Sequence, residues 1–101
     1  MIVVVGIFEL NIDYAQSLKE KRMVVKSLRD KLRHRFEIAA NEVAFQDLHQ
    51  RARIGIAFIA SDNAAADAML EKIGTFVEDN AEARVSGWTS EKLDFDETVA
   101  L

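Results

Sequence analysis

The stretch SLKEKRMVVKSLRDKLRHRF, residues 17–36, decides how the chain folds. At about 100° per residue, Leu18, Val25, Leu28, Leu32 and Phe36 fall on one arc, which predicts an amphipathic helix with a buried stripe. Ser17 is placed to cap its N-terminus, and Glu20, three residues on, would complete a capping box. A second stripe runs beside the first. Lys19, Arg22, Lys26, Arg29 and Arg33 fall within roughly 80° of one another by the same helical period. The helix therefore has one face committed to a core and one strongly cationic face.

Reading outward, residues 2–13 alternate as a strand does. Ile2, Val4, Gly6, Phe8, Leu10 and Ile12 point one way, and Val3, Val5, Ile7, Glu9, Asn11 and Asp13 the other. The first half of this strand is apolar on both faces, so both faces are expected to be covered there. A second strand is expected over residues 38–45, followed by a polar connection over 46–51. Residues 54–60, dense in β-branched and aromatic side chains, predict a central strand. The short connection between these two strands makes them an antiparallel pair. Ser61, Asp62 and Asn63 supply N-cap chemistry for a second helix over 63–79. Its buried stripe is Ala66, Met69, Leu70, Ile73, Phe76 and Val77. Gly74 within that stripe costs about 1 kcal/mol relative to Ala, which suggests close packing at that point. Residues 84–95 read as a last, more polar strand at a sheet edge, and residues 96–101 as a tail expected to fray.

The resulting order is β-α-β-β-α-β in a single domain over residues 1–101. Two right-handed β-α-β crossovers on one antiparallel sheet give an α+β, ferredoxin-like sandwich with both helices on the same face. The other sheet face is then left open, and in this chain it is aliphatic. Monomers avoid a large apolar patch of that kind, so a homodimer or another covering partner is expected.

Composition narrows the function classes. Half of the 101 residues are apolar and 30% are charged, as in a soluble globular domain. Cysteine is absent, which removes disulfides, thiolate metal sites and cysteine nucleophiles, and fits a reducing cytoplasm. The first apolar run is too short to span a membrane and lacks the features of a signal peptide. Net charge is −4, but it is unevenly spread. Residues 19–35 hold eight Lys or Arg against Glu20 and Asp30, whereas residues 36–101 hold five basic and thirteen acidic side chains. The molecule is one cationic helix on an acidic body, and such asymmetry can orient a protein at an anionic surface.

Several segments together resemble a known family. These are Val3-Val4-Val5-Gly6-Ile7-Phe8-Glu9-Leu10, Ser17-Leu18-Lys19-Glu20-Lys21-Arg22, Val25-Lys26-Ser27-Leu28 and Arg33-His34-Arg35-Phe36. Gln46-Asp47-Leu48, Ile54-Gly55-Ile56-Ala57 and Ser61-Asp62 complete the set. The chain is similar along nearly its whole length to the YlxP-like family of small uncharacterised bacterial proteins. The unbroken Ser-Leu-Lys-Glu-Lys-Arg box is the most specific sign. The resemblance implies a ferredoxin-like fold. It also implies a gene often near those for translation initiation factor two and ribosome-binding factor A, hence an association with translation or ribosome assembly.

The basic stripe is the leading candidate site. Lys19, Arg22, Lys26, Arg29 and Arg33 could neutralise RNA phosphates, with salt-sensitive binding as the consequence. The plain alternative is a solvated helix face whose cations pair with the chain's own carboxylates, and an acidic protein partner is a third reading. No Tyr/Phe pair stands in the pattern by which RNA-binding sheets stack bases. Lys21 points into the apolar arc. Because it lies in the first turn, it is expected to snorkel over the helix end to water. Glu42, Asp47, His49 and Arg51 surround one connection and could form an acid–base cluster, although surface placement is the simpler expectation. Trp88 is expected to pack on the sheet or at a dimer contact. There is no phosphate-binding glycine loop, nucleophile–base constellation or metal-ligand spacing. The expectation is a non-enzymatic binding protein with no cofactor, metal, small-molecule ligand or membrane partner, contacting ribosomal RNA or a ribosomal subunit. A homodimeric interaction module with an acidic protein partner is the alternative. A small-molecule sensor, marked by ligand-dependent thermal stabilisation, is a third class.

Overall fold

A computed structural model describes residues 1–101. Its elements run β1 (Ile2–Asn11), α1 (Leu18–Phe36), β2 (Ala39–Ala44), β3 (Arg51–Ala60), α2 (Asn63–Asn80) and β4 (Arg84–Asp94). The strands form one sheet in the order β2-β3-β1-β4, every pair antiparallel. This is the ferredoxin-like arrangement expected from the sequence. No helix is long and apolar enough to cross a membrane.

Strand parity fixes which face carries the core. Along β1, Ile2, Val4, Phe8 and Leu10 are buried, and opposite them on β3 lie Ala60, Phe58, Ile54 and Ala52. Both helices close over that face, with Val24, Val25, Leu28 and Leu32 from α1 and Ala66, Leu70, Ile73 and Val77 from α2. Full burial of each large aliphatic side chain is worth about 1.5–3 kcal/mol. Against expectation, Leu18 and Phe36 are only half-buried, and Val24 and Lys21 take core positions instead. Met69 and Phe76 of α2 are likewise half-buried, Phe76 meeting Phe36 edge-to-face at 5.3 Å.

Both helices start as their sequences predict. Ser17 Oγ accepts from the Glu20 amide at 3.2 Å, and Asp62 accepts from the Ala65 amide at 2.8 Å. The Glu20 carboxylate reaches back to the Gln16 amide, one residue before the position a standard capping box uses. Glu37 ends α1 in the left-handed region at φ 54°.

The strand bounds differ most around the second connection. Phe45 also adopts a left-handed conformation, φ 63°, and stops β2. The next strand begins at Arg51, three residues before the apolar run, because Ala52 is buried beneath the sheet while Arg51 and Arg53 stand on its other face. β1 stops at Asn11, and Ile12 leaves it buried, its amide bonded to the Gln50 carbonyl. Residue 95 is tied back to the chain's start, the Phe95 amide donating to the Met1 carbonyl at 2.9 Å.

The face opposite the helices is open. Val3, Val5 and Ile7 of β1, Ala57 and Ile59 of β3 and Leu93 of β4 share it by register. Val5, Ile59 and Leu93 are exposed.

Candidate nucleic-acid interface

The five cations of the stripe lie on one helix at i, i+3, i+7, i+10 and i+14, and α1 carries them along the β2 flank of the sandwich. Arg33 shows which flank this is. Its Nε donates to the Ala40 carbonyl at 2.9 Å and its Nη2 to Asn41 Oδ1 at 2.8 Å, both on β2. Lys26 lies 3.7 Å from Asp30, one turn on, and Arg29 lies 3.2 Å from the same carboxylate. Lys19 and Arg22 are exposed and have no carboxylate within 4 Å. The five therefore divide into two free cations, two that share Asp30, and one anchored to the neighbouring strand. Solvent-exposed pairs such as Lys26–Asp30 are worth little.

Lys21 does not snorkel. Its side chain is fully buried, and its Nζ donates to the carbonyls of Phe45 at 2.8 Å, Gln46 at 3.3 Å and Arg51 at 3.2 Å. Glu42 Oε2 lies 2.8 Å from the same nitrogen, in a largely buried ion pair. An ammonium has three hydrogens, and here they are shared among three carbonyls and the Glu42 carboxylate. The reason for the reversal is local. The β2–β3 connection folds over the first turn of α1 and turns three carbonyls toward it, and the long stem of Lys21 carries its ammonium to them. Lys21 thus anchors the connection beside the start of the basic stripe. The sequence carried two signs of this: a lysine on an apolar arc, and a glutamate within an otherwise alanine- and valine-rich strand.

The supposed acid–base cluster is not assembled. Glu42 faces inward to Lys21, whereas Asp47 and His49 are exposed on the connection. Arg51 turns to Glu9. On the open sheet face, Glu9 Oε1 accepts from Arg53 Nε at 2.8 Å and from Arg51 Nη2 at 3.1 Å. The Arg53 guanidinium, with Arg51 beside it, holds the Glu9 carboxyl below the usual carboxylate range. Phe45 lies against both guanidinium groups, 4.1 Å from Arg51 and 5.1 Å from Arg53. Sequence reading missed this group because its members sit on three separate elements.

Trp88 stacks on Phe8 at 5.1 Å on the helix side of the sheet, so it packs on the sheet as expected. Its indole also meets Gly74 of α2. A Cβ at Gly74 would sit 3.5 Å from the ring, ordinary van der Waals contact, so this glycine is close-packed but not sterically required.

A de novo designed protein with a ferredoxin fold, solved by solution NMR, aligns over 100% of this chain and 93% of its own, with a TM-score of 0.45 and 14% identity. The protein named Uncharacterized protein YlxP, from Bacillus subtilis (strain 168), is 33% identical over 64 residues, covering 63% of this chain and 70% of the relative. The stretch from residue 3 to residue 89, from the first strand into the last, matches the family described as protein of unknown function (DUF503), and the chain belongs to that family.

Proposed function

We propose that this chain is a binding protein without a reaction of its own, and that it meets an RNA backbone, in ribosomal RNA or a pre-ribosomal particle, through the basic face of α1. The observation that carries this reading is the exposed row Lys19, Arg22 and Lys26, two of them with no internal carboxylate, continued by Arg29 and Arg33 along the same flank. The surrounding body is acidic, so the stripe is where an anion is drawn. Recognition of backbone rather than bases follows from the sheet. RNA-reading sheets stack bases on exposed aromatics, whereas here the open-face positions of the two central strands are aliphatic or charged, and Phe8, Phe58 and Trp88 lie on the helix side. The gene neighbourhood implied by the family resemblance directs the reading to ribosomal RNA.

The test is co-sedimentation with ribosomal subunits across a salt series, wild type beside Arg22→Glu/Lys26→Glu/Arg29→Glu. Two free phosphate contacts, at Lys19 and Arg22, predict a loss of about 7–12-fold in affinity between about 50 and 200 mM salt, and all five predict about 130–500-fold. The triple variant, still folded, should stay in the supernatant. Wild type that fails to sediment at every salt, or a triple variant that sediments like wild type, would overturn the proposal.

A further inference from the structure

On the open face, where β2 meets the connection to β3, a second cationic group stands apart from the helical stripe. Arg51 and Arg53 share one oxygen of Glu9, and Ser86 Oγ donates to the other at 3.3 Å. Two guanidinium groups against one carboxylate leave the group a net charge of +1. One arginine would neutralise Glu9 as a cross-strand pair. Arg53, its direct partner in the register, already does so at 2.8 Å, so Arg51 is surplus to the pairing. Each guanidinium has five N–H donors, and within the chain each gives one of them, Arg53 from Nε and Arg51 from Nη2. The two side chains are 43% and 42% exposed, which leaves the unused donors open to an incoming anion. The platform beside them is strained. Phe45 lies against both guanidinium groups with its backbone left-handed, φ 63°, which bulky residues rarely adopt. The buried Lys21 ammonium holds it there by its carbonyl, at 2.8 Å, and holds the Arg51 carbonyl at 3.2 Å. Strain of this kind persists where a site is pre-organised, and an arginine already stacked and paired loses less freedom on gripping an anion.

From this we infer that Arg51 and Arg53 form a second phosphate site, which takes the backbone of a single-stranded RNA that leaves the α1 stripe and turns over the β2–β3 connection. The inference rests on the RNA reading of α1 and adds to it the form of the RNA and its path. Lys21 marks that path. Its backbone lies in the first turn of α1, between the free cations Lys19 and Arg22, and its Nζ touches the carbonyls of Phe45 and Arg51. One side chain thus joins the stripe to the arginine pair, and the connection is the corner between the two faces. Charge suits a phosphodiester. It carries −1, which cancels the +1 of the group, and the guanidinium fork matches its two free oxygens. The other strand cations, Arg84 and Lys92, are matched one to one by Asp13 and Asp67, so the surplus charge of the strands is at Arg51. Stiffness keeps a duplex off this path. A persistence length on the order of 150 base pairs, as in DNA, lets a duplex lie along straight α1 but not fold round a corner one side chain wide. Asp47, exposed on the connection, is the carboxylate that such a strand has to pass.

The experiment is a fluorescence-anisotropy titration of the full chain against a single-stranded RNA of about twelve nucleotides, and against a duplex of that length, across a salt series. Arg51→Gln keeps the Arg53–Glu9 pair and brings the group to zero charge. It should lower the single-strand salt slope by about 0.7 and, counted from a 1 M reference, weaken single-strand binding about eightfold at about 50 mM salt. The duplex, held by the stripe alone, should bind this variant as it binds wild type. Asp47→Asn removes the carboxylate at the corner and should tighten single-strand binding about threefold, as one charge removed at about 7 Å in water does. Far-UV circular dichroism checks that both variants are folded. Arg51→Gln that binds the single strand like wild type, or that weakens single strand and duplex alike, would overturn the inference and leave the reading of α1 standing. Asp47→Asn without its gain would overturn the path over the connection. Wild type that binds neither RNA at any salt would overturn the reading of α1 and this inference with it.

Discussion

Lys21→Met keeps the length and apolar stem of the buried lysine and removes only its charge and its three donors. Three carbonyls, of Phe45, Gln46 and Arg51, then lose their partner, and Glu42, with only 17% of its side chain exposed, is left without a counter-charge. Breaking a buried pair by removing one partner costs about 3–5 kcal/mol. The lower end applies here, because the connection is at the surface and its carbonyls can turn to water. A loss of about 3 kcal/mol is a large share of the 5–15 kcal/mol typical of a domain, and corresponds to a fall in Tm of about 12–24 °C at this size. Urea unfolding followed by circular dichroism measures it directly, provided the slope is unchanged between variants. Lys21→Met/Glu42→Gln should recover about 1–2 kcal/mol, since it also removes the orphaned charge. Amide exchange should localise the damage to residues 42–51. A loss below about 1 kcal/mol, the range of an exposed ion pair, would refute the argument and restore the snorkelling lysine.

Two smaller predictions use neighbouring features. Gly74→Ala should stabilise the protein by about 0.5–1 kcal/mol, because the added methyl reaches only ordinary contact with Trp88 while the helix gains propensity; a lower Tm would mean that the ring has no room to give. Glu9→Gln should flatten the acid side of the stability profile. A carboxyl whose folded pKa is depressed contributes stability that is present above its unfolded value, about 4.3, and is lost as pH falls through the lower folded value. Urea midpoints measured from pH 6 to pH 3 should therefore fall less steeply for the variant, and parallel profiles would contradict the Arg53–Glu9–Arg51 arrangement.

The fold was legible in the sequence because its signals are local. Alternation marks β1, the apolar arc marks α1, and Ser17 and Asp62 mark both helix starts within the span of a single turn. The strand order followed from connection lengths and handedness. What stayed hidden depends on contacts between distant residues. The burial of Lys21 needs the β2–β3 connection to fold over α1. The pairing of Glu9 with Arg51 and Arg53 needs β1 and β3 in register, and polar residues at the head of β3 read locally as a loop. The basic stripe was visible from helical spacing alone, but its division into free, shared and anchored cations depends on Asp30, Ala40 and Asn41, which spacing does not order by strength.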